Sequence, residues 1–151
     1  TAGKPVVGVG TLDLEAFPYV DSLLQVCALL DAGRSEVASA LFGRDGQRTR
    51  EDMVCPGEQL VESILENPVD GVTLFCGEGV LNWRELIRDR LGSSGVVAGP
   101  SPASRLWALC ELGWNRFTVG DTSDLSTLQP LYLRMPSIGG PKRRDRIPQR
   151  P

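Results

Sequence analysis

The chain has 151 residues, 41% of them hydrophobic, and a net charge of −3. This length fits one domain of ordinary size, and no apolar run approaches the roughly 20 residues of a membrane-spanning helix. It contains no histidine, so the commonest general base and metal ligand are missing, and only carboxylate-based catalysis remains open. The four widely spaced cysteines indicate buried thiols in a reducing compartment, and we expect a cytoplasmic protein.

The chain begins with a short predicted strand and a short predicted helix. "KPVVGVGT" predicts a strand from Pro5 to Val9. Thr11 is expected to cap the helix that follows, and Pro18 to end it. We interpret residues 1–20 as the end of a unit that precedes the main domain.

Three antiparallel strands are predicted between Gln25 and Cys55, separated by the turns "GRSE" and "GRDGQR". The continuous apolar run "LLQVCALLDA" predicts a central strand that is buried on both faces. Its side chains are expected to alternate, with Val26, Ala28 and Leu30 on one face and Cys27 and Leu29 on the other. The second strand, "EVASALF", has small side chains, which indicates that another element packs closely over it.

Helices and strands then alternate up to Trp114. "PGEQLVESILE", "VLNWRELIRDRLG" and "SPASRLWALCELGW" predict helices, and "DGVTLFCGEG" and "GVVAGP" predict the strands between them. Ser101 is the expected N-cap of the last helix, whose buried stripe is expected to contain Leu106, Leu109, Cys110 and Trp114. The element order predicts an α/β fold of the ribonuclease-H-like kind, with a mixed sheet covered by helices, over residues 21–134.

The basic residues are concentrated at the end of the chain. From Gly139 onward there are five basic residues and one acid, so residues 135–151 are expected to form a flexible, Pro-rich basic tail. Four side chains are candidate contacts to tRNA phosphates: Lys142, Arg143, Arg144 and Arg146. A solvated end with no ligand is an equally good interpretation.

Asp31, Arg34 and Glu36 lie between two apolar runs and are the first candidate site. An active site would need carboxylates that converge on a cleft. Two carboxylates flanking a turn are common, and an exposed arginine–carboxylate pair contributes at most about 1 kcal/mol. We therefore favour a polar hairpin turn with no catalytic role.

Four segments in order resemble the TsaB-type family, the actin-like (ASKHA), glycoprotease-related accessory subunits of the bacterial tRNA threonylcarbamoyladenosine synthase. The matching segments are Val7–Leu12, Asp31–Val37, Gly77–Gly79 and Pro130–Arg134. The resemblance implies that residues 21–134 are the second lobe of an actin-like fold. Nothing in the chain matches the family's first lobe, and Gly10, Ala38 and Glu78 depart from the family pattern.

Gly77, Glu78 and Gly79 form a glycine turn after a predicted strand, where backbone amides can approach a phosphate or a ribose. Two glycines without a P-loop lysine are a weak signal. Actin-like relatives bind adenosine near this point, but the resemblance implies no nucleotide requirement for this chain. We favour a degenerate nucleotide turn and expect no cofactor.

The resemblance implies a non-catalytic role in threonylcarbamoylation of tRNA adenosine. The expected partners are a TsaD-type catalytic subunit and a TsaE-type ATPase subunit, with tRNA contacted indirectly and no membrane. Without the first lobe, we expect weak capture of the catalytic subunit and some self-association. The alternative is a hydrolase on the same fold, either glycoprotease-like or dependent on carboxylates and a metal. Lacking histidines and clustered cysteines, the chain is expected to have no divalent-metal site.

Overall fold

The computed structural model describes residues 4–68 and 71–133. The strands in chain order are β1 (Gln25–Gly33), β2 (Glu36–Phe42), β3 (Met53–Pro56), β4 (Thr73–Cys76) and β5 (Gly95–Val97). The helices are α1 (Thr11–Ala16), α2 (Gly57–Glu66), α3 (Val80–Leu91) and α4 (Pro102–Thr118). Two short 3-10 segments lie at Phe17–Ser22 and Gly92–Ser94.

The five strands form one mixed sheet in the order β3-β2-β1-β4-β5. β1 pairs antiparallel with β2, which pairs antiparallel with β3. On its other side β1 pairs parallel with β4, which pairs parallel with β5. This arrangement confirms the predicted ribonuclease-H-like order, and β1 is the central strand.

Side chains of β1 contribute to a hydrophobic core on each face of the sheet. Cys27 and Leu29 pack with residues of α2 and α3 in one core. Val26 and Ala28 pack with residues of α1 in the other, where Leu30 lies at the margin. The predicted alternation is therefore confirmed, because successive strand side chains point to opposite faces.

α2 and α3 cover the first face. Leu60, Val61 and Ile64 of α2 recur at helical spacing and are buried there, together with Val80 and Ile87 of α3. This spacing places them on one side of each helix, so both helices are amphipathic.

α1 covers the second face. Leu12 and Ala16 pack against Val26, Ala28 and Ala40, which are small enough to let the helix lie close to the sheet. α1 and the sheet thus share one core, and the division of the chain at residue 20 stays a prediction.

The first residues of the chain differ from the sequence-based expectation. The segment Pro5–Val9 is not a strand, and Val6 makes only an isolated bridge with Ser123. Gly10, not Thr11, is the N-cap residue of α1, and no side chain accepts a hydrogen bond there. The bridge could not be recognised from the local sequence, because Ser123 lies far along the chain.

The direction of α4 contradicts the prediction. Ser101 caps the helix as expected, accepting a hydrogen bond from the Ser104 amide at 3.3 Å. The stripe predicted to be buried, which consists of Leu106, Leu109, Cys110 and Trp114, is instead exposed. Ala108, on the other side, is fully buried, and α4 packs on α1 and the Phe17–Ser22 segment. Within the described part of the chain, no helix is long and apolar enough to cross a membrane.

Candidate functional site

An open pocket of about 330 Å³ lies beside the carboxyl ends of the parallel strands β4 and β5. Parallel strands end at the same edge of a sheet, and the loops that follow them form the usual binding edge of α/β folds. The pocket is lined by Leu14, Glu15, Glu78, Pro100, Ser101, Pro102, Arg105, Leu106 and Leu109. Apolar side chains make up most of its wall, and three charged side chains lie at one side.

The three charged groups form a row. The Glu15 carboxylate is only 7% exposed and lies 3.2 Å from the Arg105 guanidinium. The same Arg105 nitrogen lies 3.6 Å from the carboxylate of Glu78, which is half exposed. One guanidinium thus serves two carboxylates, so the row carries a charge of −1 when both are ionised. Arg105 comes from α4, Glu15 from α1 and Glu78 from the turn after β4, so the row ties three elements together.

Burial raises the pKa of the Glu15 carboxyl group above its ordinary value of 4.5, because a buried carboxylate loses its hydration. The positive charge of Arg105 opposes the rise, and the negative charge of Glu78 adds to it. Burial is the largest of the three effects, so the Glu15 site favours the neutral acid more than water does.

The turn Gly77–Glu78–Gly79 packs directly against the central strand. Gly77 has a φ of +90°, and a Cβ there would lie 2.3 Å from the Leu29 carbonyl oxygen. The Gly79 amide donates to the same oxygen at 3.0 Å. The amide of Val80 donates back to the Gly77 carbonyl at 3.3 Å. Close packing on β1 therefore explains both glycines, and the amides that follow the turn already have backbone acceptors.

Asp31 stabilises the β1–β2 hairpin and links it to α3. One carboxylate oxygen accepts a hydrogen bond from the Gly33 amide at 2.7 Å, and the other accepts from the Asn82 side chain at 2.9 Å. Arg34 and Ser35 form the tight turn with φ values of 55° and 62°, which non-glycine residues adopt at a cost. The structure thus places Asp31 in a structural role at the same sheet edge as the pocket.

Two of the three charged groups in the pocket, Glu15 and Arg105, were not among the candidate site residues predicted from the sequence. The available signal is the position of Glu15 in "LDLEA": it lies three residues after the buried Leu12 and is therefore on the inward side of α1. Glu78 is the one residue of the row that the glycine turn had already identified.

The tryptophans of α3 and α4 lie in different surroundings. Trp83 packs against the first core and lies over Gly57. Trp107 contacts the ring of Phe17, and Trp114 contacts that of Phe117, but both tryptophans are at least half exposed. The basic residues Lys142, Arg143, Arg144 and Arg146 lie outside the described residues. Within residues 4–68 and 71–133, no three Cys, Asp or Glu side chains group together as a metal site would require.

No protein-family model matches the chain, and no curated protein matches it. Solved structures do. One is an uncharacterized Pseudomonas aeruginosa protein with similarity to the peptidase YeaZ: the TM-score is 0.60 and the identity 21%, over 87% of this chain and 60% of that one. Another is YeaZ from Pseudomonas aeruginosa: the TM-score is 0.54 and the identity 20%, over 86% of this chain and 59% of that one. The chain thus spans about three fifths of each, and the similarity shows that it has a YeaZ-like α/β fold.

Proposed function

We propose that the chain is a non-catalytic accessory subunit in the threonylcarbamoylation of adenosine in tRNA, and that it supports a TsaD-type catalytic subunit. The observation that carries the proposal is the arrangement of three TsaB-like segments on the YeaZ-like fold. Val7–Leu12 leads into α1, Asp31–Val37 forms the hairpin, and Gly77–Gly79 follows β4. They are far apart in sequence and meet at one edge of the sheet.

Contacts that involve residues next to these segments bring them together. A Cβ on Gly77 would lie 3.3 Å from Cγ of Glu15, so the glycine turn abuts α1. The hydrogen bond between Asp31 and Asn82 joins the hairpin to the helix that begins after the turn. A chance match of short motifs would scatter them over the fold, so the proximity of these segments supports the resemblance.

The polar groups at this edge also favour an accessory role. Glu15 and Glu78 share Arg105, and Asp31 accepts two hydrogen bonds from its own neighbourhood. A general base instead needs access to the proton that it removes. Carboxylates paired in this way hold elements together, which is consistent with a protein that presents a surface to a catalytic partner.

The proposed partners are those that the resemblance implies. We expect a TsaD-type subunit as the direct partner, a TsaE-type ATPase subunit that joins the pair, and tRNA bound through the complex. Because the chain spans about three fifths of the matched structures, the partner surface of a whole protein can lie outside it.

The proposal is tested by depleting the gene in the cells that produce the protein. Threonylcarbamoyladenosine in bulk tRNA is then measured by mass spectrometry of nucleosides, with another modified nucleoside as the internal control. We expect a selective loss that the intact gene restores. Unchanged threonylcarbamoyladenosine after depletion would refute the proposed process.

A second assay separates the accessory role from the enzyme alternative, since one matched structure is similar to a peptidase. The purified chain is incubated with a labelled protein substrate, and separately with tRNA and the threonylcarbamoyl donor but without a catalytic subunit. We expect neither reaction. Activity in either assay that is lost on Glu15→Gln substitution would assign a catalytic role instead.

A further inference from the structure

The exposed side of α4 is a continuous apolar surface. It consists of Ala103, Leu106, Trp107, Cys110, Gly113, Trp114 and Phe117, which we call the α4 face. Five of these residues follow each other at alternating steps of three and four, which is the spacing of a coiled-coil seam. They are Ala103, Leu106, Cys110, Gly113 and Phe117. No charged residue interrupts this set, and large members are strongly exposed, including Leu106 at 64% and Trp114 at 63%.

The orientation of α4 is fixed by two arginines that contact the rest of the fold. Arg105 pairs with buried Glu15 at 3.2 Å, and Arg116 donates to the Gly8 carbonyl at 2.5 Å. Ala108, on the same side, is fully buried. A helix in water normally turns its charged side outward. In α4 two of the three charged residues, Arg105 and Arg116, contact the rest of the fold instead, and only Glu111 is exposed. The α4 face is therefore presented to solvent by contacts near both ends of the helix.

The α4 face is large enough for a stable contact. An aromatic side chain offers about 150–250 Å², so the exposed fractions of Trp107, Trp114 and Phe117 together amount to roughly 350 Å². Leu106, together with the exposed side chains of Ala103 and Cys110, brings the total to roughly 550 Å². Two such faces would bury roughly 1,100 Å², which just exceeds the ~1,000 Å² expected of a specific interface.

We propose that the α4 face binds the α4 face of a second copy of this chain, with the two helices antiparallel. Cys110 is the middle residue of the 17-residue helix, and a two-fold axis there places residues equally distant from it opposite each other. Large residues then meet smaller ones: Trp107 meets Gly113 of the second copy, Phe117 meets Ala103, and Trp114 meets Leu106. The space around Gly113 is open to receive the indole, since a Cβ there would meet nothing within 4 Å.

Two features favour a second copy over the basic tail of the same chain. After residue 134 the only large aliphatic side chains are Met135, Ile138 and Ile147, too few to cover three aromatic rings. From Gly139 onward the tail also carries a charge of +4, whereas the α4 face has no charge to pair with it. The pairing of large with small residues about one axis is, by contrast, a property of the face itself. The proposed dimer does not depend on the proposed function.

Sedimentation equilibrium of the 151-residue chain tests the association. The average mass should rise from one chain toward two across the micromolar range, because the interface area is at the lower limit of stable complexes. A short bis-maleimide provides a second measurement. Cys27, Cys55 and Cys76 are buried and Cys110 is exposed, so a cross-linked dimer should form through Cys110 and disappear in Cys110→Ser.

Matched variants locate the interface. Leu106→Glu should weaken the dimer roughly 100-fold or more, because each copy would bury an unpaired carboxylate. Leu125→Glu is the control, since Leu125 lies outside α4 and is 62% exposed against 64% for Leu106. Gly113→Gln is a second variant, which fills the space for the indole while raising helix propensity. It should therefore remain folded and monomeric.

The expected result is a dimer for the unchanged chain and for Leu125→Glu, and a monomer for Leu106→Glu and Gly113→Gln. An unchanged chain that stays monomeric at the highest concentration would overturn the proposal. The α4 face would then bind a different protein or a further domain. A dimer that survives both α4 substitutions would also overturn it, because the interface would then lie elsewhere. The measurement of threonylcarbamoyladenosine after gene depletion tests the proposed function separately, and its result does not depend on whether the chain dimerises.

Discussion

Arg105 reaches from α4 to the buried carboxylate of Glu15 at 3.2 Å and fixes the helix to α1. The second core contains α1 but no residue of α4, so this ion pair is a main link between α4 and the body. Its two ends differ, because Glu15 is buried and the Arg105 side chain is 37% exposed. The two partners should therefore respond differently to substitution.

Replacing Arg105 with methionine should destabilise the fold. The substitution keeps much of the aliphatic stem but leaves the Glu15 carboxylate buried without its cation. We expect the free energy of unfolding to fall by about 1–2 kcal/mol, less than for a fully buried pair because Arg105 is partly exposed to solvent. Arg90→Met is the control, since Arg90 pairs with Glu62 at the surface at 3.4 Å. Denaturant titration should show that the free energy of unfolding of the control changes by no more than about 0.5 kcal/mol. Equal losses of stability in the two variants would contradict a special role for the Glu15–Arg105 pair.

Glu15→Gln should change how stability depends on pH. The pKa of Glu15 is higher in the folded chain than in the unfolded chain, so the carboxyl group favours folding most when protonated. That contribution is complete below the ordinary pKa of 4.5 and declines as the pH rises through the folded-state pKa. The glutamine variant lacks this decline. Its melting temperature relative to the unchanged chain should rise as the pH is raised above 4.5. A relative fall over this range would show that Arg105 outweighs burial.

Gly77→Ala should be strongly destabilising. The new methyl group would lie 2.3 Å from the Leu29 carbonyl oxygen, and the φ of +90° is unfavourable for alanine. A loss of about 3 kcal/mol or more is expected, since the central strand cannot move away. Gly99→Ala is the control, because a Cβ at Gly99 meets nothing within 4 Å. Thermal unfolding of both variants measures the difference, and a mild effect at Gly77 would mean that the turn can be displaced from β1.

Ser35→Gly should stabilise the β1–β2 hairpin. Ser35 has a φ of 62°, a region that glycine occupies without steric cost. We expect a gain of about 0.5–1 kcal/mol, reduced by the greater freedom of glycine in the unfolded chain. The reverse change, Gly33→Ala, should destabilise by a similar amount because Gly33 has a φ of 71° and no neighbour within 4 Å. Chemical denaturation should show that the free energy of unfolding rises for Ser35→Gly and falls for Gly33→Ala. A change in the same direction for both variants would argue that φ does not govern stability at this turn.

The sheet could be predicted from the sequence because its signals are local. A mostly apolar run such as "LLQVCALLDA" is typical of a strand covered on both sides, and Gly77 marks a close approach of the backbone. The direction of α4 could not be predicted. Periodicity shows that Leu106 and Trp114 share one side of the helix, but what covers that side is a property of the assembled molecule. The sequence of the helix contains no sign that Arg105 finds its partner in Glu15, ninety residues earlier.

The parallel pairing of β1 with β4 has a consequence during synthesis of the chain. The hairpin partner β2 follows β1 at once, but Gln25 pairs with Thr73, which lies 48 residues later. At about 5–20 residues per second, the ribosome needs about 2–10 s to add those residues. For that time one side of the most apolar strand has no partner for its backbone groups. A nascent chain paused in this interval should be the form most in need of a chaperone, and rare codons between β3 and β4 should reduce the yield of folded protein.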